Sequence, residues 1–230
     1  MNFAKNKDSK KKEAEQEEEQ TQAEQNEESE ELAEQSVEEL TSLLSLPAET
    51  PPCRLTGIYG ELNEEKCSEA VYSLLLLKDA GRIHDPETGE ESYAPIDFYI
   101  STYGGSAAEM FAVYDIMRDT RDECPVHTHG IGKVMSGGVL LLAAGTKGAR
   151  KIGKNCRVMI HGVVSGQHGR LEDVENEFEE AKLTQRLYFR ALAEETNMTE
   201  KYLKKMIERR TNVYLDAEEA VDLGIADIII

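Results

Sequence analysis

Residues 132–148 run GKVMSGGVLLLAAGTKG. A strand expected over 125–130 precedes them. Ser136, Gly137 and Gly138 then break the extended chain, and six apolar residues follow, so a short buried helix is expected over 137–144. Strand, glycine-rich junction and apolar helix in succession belong to an α/β domain. At such a junction a side chain stands exposed while nearby backbone N–H groups stay free. Ser136 occupies that place.

Outward from this stretch, β-like runs alternate with longer helical ones from Pro52 onward. Asn63 caps a helix over 64–80 whose buried face is Ala70, Val71, Leu74, Leu75 and Leu77, and Gly81 stops it. A polar excursion over 81–95 leads to a strand at 96–101. Gly104 and Gly105 turn the chain into a helix over 106–118 that buries Met110, Val113, Ile116 and Met117. Beyond the central stretch come a strand at 157–160 and a long helix over 171–195. That helix carries Glu172, Asp173, Glu175 and Glu177 early and Lys182, Arg186 and Arg190 late, the order the helix macrodipole favours. A helix over 199–209 follows, then a short one opened by an Asp216/Glu219 capping box and ended at Gly224. A strand over 225–230 closes the chain. There is no internal repeat and no sustained heptad.

The chain has 230 residues, 40% of them hydrophobic, enough for one domain with a single core. Its net charge is −19, of which residues 1–50 supply −10, from 15 acids against 5 lysines. A surface for phosphate backbones needs a basic stripe, so nucleic acid is not an expected partner. Residues 1–31 are almost free of core-forming side chains and are expected to form a disordered acidic tail. Over 32–52, Leu32, Val37, Leu40, Leu43 and Leu44 recur at helical spacing before Pro47, Pro51 and Pro52. That segment reads either as a weakly helical linker or as a docking or processing segment. The folded domain is expected over 53–230. The basic start has no apolar stretch behind it, and the longest apolar run, residues 139–144, is far too short to cross a bilayer. A cytoplasmic location with no membrane partner is therefore expected. Cys53, Cys67, Cys124 and Cys156 contain no Cys-x-x-Cys pair and read as reduced thiols.

Ser136 does not lie in G-x-S-x-G, because Val134 stands two residues before it. On its own it is either a nucleophile or a small residue that lets a helix pack closely. His161, at the end of the strand Arg157-Val158-Met159-Ile160 and followed by Gly162, is either a ring projecting into a cleft or an ordinary satisfied histidine. Together they fit the strand-end placement of α/β active sites. Alternation puts His127 and His129 on one face of a strand near Cys124, but no fourth ligand is apparent, so no metal is expected. The glycines around 163–169 are not followed by Gly-Lys-Ser/Thr, so no cofactor and no ATPase activity of the chain itself are expected.

From about Arg54 to its last residue the chain resembles the Clp protease proteolytic subunit family, the ClpP-like serine peptidases. Residues 132–148 resemble the family's nucleophile segment without a gap, and residues 155–161, ending in Arg157-Val158-Met159-Ile160-His161, its histidine segment. The two key residues keep a separation of 25. Tyr103-Gly104-Gly105-Ser106 looks like the family's glycine turn. Ala217-Glu218-Glu219-Ala220 with Gly224 and Asp227 looks like its C-terminal close. The resemblance implies an α/β fold of the ClpP/crotonase type, with repeated β-β-α units and a handle helix at 171–195. It implies acyl transfer, with Ser136 as nucleophile, His161 as base and the backbone N–H groups of Gly105 and Gly137 as the oxyanion hole. It further implies polypeptide substrates, a ring homo-oligomer of two stacked heptamers, and an ATP-dependent AAA+ unfoldase of the ClpX or ClpA type.

Asn212 matches the position of the family's catalytic aspartate. Its amide oxygen is able to accept the imidazole N–H but supplies no charge, so the resemblance implies a Ser-His-Asn variant. Asp216 and Glu208 are alternative sources of charge. Gly137 replaces the family's usual methionine and Tyr103 its usual proline; both are expected in the walls of the substrate cleft. A silent ring subunit with a structural or gating role and a crotonase-like acyl-CoA enzyme are the competing readings.

Overall fold

Ile96, Phe98, Ile100 and Thr102 alternate along one strand and are all fully buried, so one face of that strand meets the core. A computed structural model describes residues 53–85, 88–209 and 212–230. The segments expected over 1–31 and 32–52 lie outside them. The described strands are β1 (Leu55–Leu62), β2 (Arg82–His84), β3 (Glu91–Tyr93), β4 (Ile96–Gly105), β5 (Val126–Met135), β6 (Lys151–Ile152), β7 (Arg157–His161), β8 (Asn212–Leu215) and β9 (Ile228–Ile229). The helices are α1 (Glu64–Ala80), α2 (Ala107–Arg121), α3 (Gly137–Ala143), α4 (Leu171–Glu195), α5 (Glu200–Arg209) and α6 (Ala217–Asp222).

Seven strands form one sheet in the order β1-β4-β5-β6-β9, all parallel, and β7 branches from β5. The fork lies within β5. His129 and Gly130 pair with β6, whereas Lys133 to Met135 pair with Arg157 to Met159 of β7. β8 then joins β7 antiparallel. This partner switch carries β5 five residues past the strand end expected at 130, up to the helix that starts at Gly137. The α/β class is the one that the resemblance implies, and its central sheet is mostly parallel.

All seven residues of α3 are buried, as suits a helix that is apolar all round. In α1 the buried residues are Cys67, Ala70 and Leu74. Leu75, expected on that face, is 40% exposed, because a helical neighbour is turned by about 100°. The polar excursion contains the separate antiparallel hairpin β2–β3. The expected final strand shortens to β9: the N–H of Ile225 donates to Ala220 O at 2.9 Å and closes the end of α6 instead. The first turns of α4 are exposed, and its buried residues begin at Tyr188.

Arg150, 4% exposed, ties three regions together. It donates to Glu195 O at 2.9 Å and Gly224 O at 2.8 Å and pairs with Asp227 at 2.5 Å. Glu195, 2% exposed, accepts from Arg121 at 2.7 and 2.9 Å and from Tyr114 at 3.1 Å. No described helix is long and apolar enough to cross a membrane.

Candidate active site

Among the described residues, Ser136 is the one non-glycine with positive φ, at φ 54° and ψ −125°. L-residues rarely adopt this conformation, which persists only where surrounding contacts hold it. They do so here. Ser136 N–H donates to Met159 O of β7 at 2.8 Å, while its carbonyl accepts from Val139 N at 3.0 Å and from the Tyr188 hydroxyl of α4 at 2.9 Å. Although Ser136 caps α3, its side chain makes no capping hydrogen bond, so Oγ is not spent on the helix. β5 therefore turns sharply into α3, and the serine is presented at the bend despite the missing G-x-S-x-G pattern.

Gly104 and Gly105 bring the end of β4 against this bend. A Cβ on Gly104, at φ 96°, would lie 2.5 Å from the Ser136 Cβ, and one on Gly105, at φ 157°, would lie 2.3 Å from Leu62 O. Neither clash leaves room for a side chain. Ser106 caps α2 by accepting from Glu109 N at 3.4 Å.

His161 ends β7 half-buried. Its Nδ1 donates to the Gly162 carbonyl at 2.5 Å. A carbonyl only accepts, so Nδ1 carries a hydrogen here; in the neutral ring that leaves the lone pair on Nε2, the tautomer a general base needs. Asn212 is the register partner of His161 across the β7–β8 pair, but among the described residues no hydrogen bond joins their side chains. Asp216 is occupied as the cap of α6, accepting from Glu219 N at 2.9 Å, and exposed Glu208 makes no ion pair with the ring. Gln185 of α4 accepts from Val163 N at 3.2 Å and so anchors the chain just after the histidine.

One cavity of about 230 Å³ joins Ser136, His161, Gly105 and Gly137. Met110, Val163, Val164 and Tyr188 give it apolar walls. Gly137 is the first residue of α3, where backbone N–H groups have no partner inside the helix. A Cβ on Gly137 would lie 2.9 Å from Met110 Sδ, so Met110 takes up the room a larger residue there would use. Tyr103, expected in the cleft wall, does not line the cavity. It is 67% exposed, and the Lys133 ammonium sits 4.5 Å above its ring, because alternation along β4 turns it to the other face from Thr102 and Gly104. Tyr188 was not legible as a site residue, since nothing in the sequence links it to a serine 52 positions earlier.

His127 and His129 do share a face, and both meet Asp97, at 3.9 and 2.7 Å. His129 also stacks on Tyr99, with ring centroids 4.4 Å apart. Cys124 stands apart from them, donating to Ala94 O at 3.3 Å. Among the described residues no group of three or more His, Cys, Asp or Glu side chains is placed to hold a metal ion.

A sequence model of the Clp protease family matches residues 54–230, more than three quarters of the chain. The chain belongs to the Clp protease family. As a Clp protease domain it carries its nucleophile-like bend, glycine turn and histidine strand within the matched residues, all facing one cavity. The family match supports a peptidase.

Proposed function

We propose that the chain is a serine-type endopeptidase subunit in which Ser136 attacks the scissile carbonyl and His161 serves as general base and then general acid. The observation that carries this reading is the bend at Ser136. A side chain held at φ 54° with its Oγ unused for capping shares a cavity with an imidazole whose Nδ1–H is already committed. In the proposed reaction the serine oxygen bonds to the carbonyl carbon as its proton passes to His161 Nε2. The proton then goes to the departing amine, and water releases the acyl group by the same route in reverse. The backbone N–H groups of Gly105 and Gly137 are proposed to receive the oxyanion; losing one such donor typically costs about 100- to 1,000-fold in rate.

Asn212 is the proposed third member of the site, on the strength of its register opposite His161. Because Gly162 O already accepts from Nδ1, Asn212 is proposed as a neutral neighbour of the ring that neither sets its tautomer nor stabilises the imidazolium. The family supports the rest of the proposal: polypeptide substrates, a ring homo-oligomer of two stacked heptamers, and an AAA+ unfoldase that spends the ATP. That no carboxylate pairs with the ring among the described residues favours a second reading, a silent ring subunit. A fluorophosphonate probe followed by peptide mapping separates the two. Covalent label on Ser136 that is lost in His161→Ala supports the peptidase, and an intact protein that takes no label supports the silent subunit.

A further inference from the structure

We propose that Tyr188 is a positioning residue for this reaction: its hydroxyl, by donating to the Ser136 carbonyl, aims the Gly137 N–H at the oxyanion. The inference rests on the peptidase reading above. The peptide bond between Ser136 and Gly137 is trans, and in a planar trans peptide the C=O and N–H point in opposite directions. A bond that pins the oxygen therefore pins the N–H.

This peptide plane needs an outside anchor. Glycine, at position 137, has the freest backbone of any residue, and Ser136 before it is held in a rarely populated conformation. Of the two donors to Ser136 O, Val139 N lies within α3 and moves with it. The Tyr188 hydroxyl, at 2.9 Å, comes from α4 and ties the plane to a different element. Tyr188 is 5% exposed, and burial pushes its phenol well above the ordinary tyrosine range, so the group stays a proton donor wherever His161 works as a base. A hydrogen bond to the carbonyl also polarises the peptide and strengthens its N–H as a donor. Gln185, one turn earlier on α4, anchors the chain after His161. One turn of α4 thus holds the backbone beside both reacting side chains.

Tyr188→Phe keeps the ring and removes one hydroxyl. Two probes separate its effects: acetyl-trileucine aldehyde, whose carbonyl becomes an oxyanion as the Ser136 oxygen adds and the serine proton moves to His161, and the matching alcohol, acetyl-Leu-Leu-leucinol, which fills the cleft with neither a carbonyl nor a carboxylate at that place. The expected result is an aldehyde affinity and a kcat each lowered about tenfold, as for the loss of one hydrogen bond, with alcohol affinity and KM changed less than twofold. Alcohol binding reads only folded sites, so proportional loss of both affinities would assign Tyr188 a purely structural role and overturn the inference. Unchanged aldehyde affinity in the variant would overturn it as well, leaving the peptidase reading intact. Wild-type protein that binds the alcohol but gains nothing from the aldehyde would overturn the peptidase reading and this inference together.

Discussion

The Nδ1–H of His161 is donated to the carbonyl of its own neighbour, Gly162, at 2.5 Å, although Asn212 stands opposite the histidine in the strand register. In one serine protease an Asp-to-Asn change costs about 10,000-fold because the imidazole takes the wrong tautomer. Here a carbonyl sets the tautomer, and that loss does not apply. Asn212→Ala is therefore expected to change kcat/KM by less than about threefold. Asn212→Asp, which adds charge beside a developing imidazolium, is expected to raise kcat about tenfold. Steady-state hydrolysis of a fluorogenic peptide by both variants tests this, and a collapse of activity in Asn212→Ala would return the orienting role to the amide.

The two glycines proposed to receive the oxyanion differ in what surrounds them. Gly105→Ala places a methyl group 2.3 Å from the backbone oxygen of Leu62 in a conformation L-residues avoid. It should cost about 100-fold or more in kcat, together with a lower Tm. Gly137→Ala meets side chains rather than backbone, Met110 Sδ at 2.9 Å and Leu62 Cδ1 at 3.0 Å. It should keep Tm within a few degrees and most of the activity, and equal damage from both substitutions would contradict the geometry.

Glu195 and Asp227 make the fold acid-sensitive. Burial works to raise both carboxyls, but it is outweighed by the hydrogen bond and charge of Arg121, with Lys147 adding, at Glu195, and by the hydrogen bonds and charge of Arg150 at Asp227. Both therefore lie below the ordinary carboxylate range. The stability they contribute is fully present above the unfolded pKa, about 4, and is lost as pH falls through the folded values. Tm should fall on acidification below about pH 4, and fall less steeply in Glu195→Gln. At neutral pH that variant leaves Arg121 without its charge partner and should lose about 3–5 kcal/mol. Parallel Tm profiles of wild type and variant would remove Glu195 from the explanation.

The four cysteines are all free thiols, and only Cys53 is exposed. Burial pushes Cys67 and Cys156 up to about 11, aided at Cys67 by the charge of Glu109, and also raises Cys124. Since the thiolate is the reactive form, iodoacetamide at pH 8 should add one group to the folded chain, at Cys53, and four after denaturation. Rapid native labelling of Cys156 would contradict the packing around β7.

Local pattern carried much of the fold. The bounds of α4, the Asn63 cap and the Asp216/Glu219 capping box were all legible, because each depends on residues within one or two helical turns. The fork in β5 was not, since a strand's period says nothing about which partner it pairs with at each end. Ser136 and His161 stood out by type and position. The positive φ of the serine, the Gly162 acceptor and the hydroxyl of Tyr188 did not, because they arise from long-range packing and backbone geometry that leave no periodic trace. The place of Arg150 at the meeting of α4, Gly224 and Asp227 became visible only in three dimensions.

Hydrolysis of a fluorogenic short peptide by the purified protein, beside Ser136→Ala at the same assembly state, tests the central claim most directly. The account predicts turnover by the wild type that disappears in the variant. Equal background from two intact assemblies would contradict it.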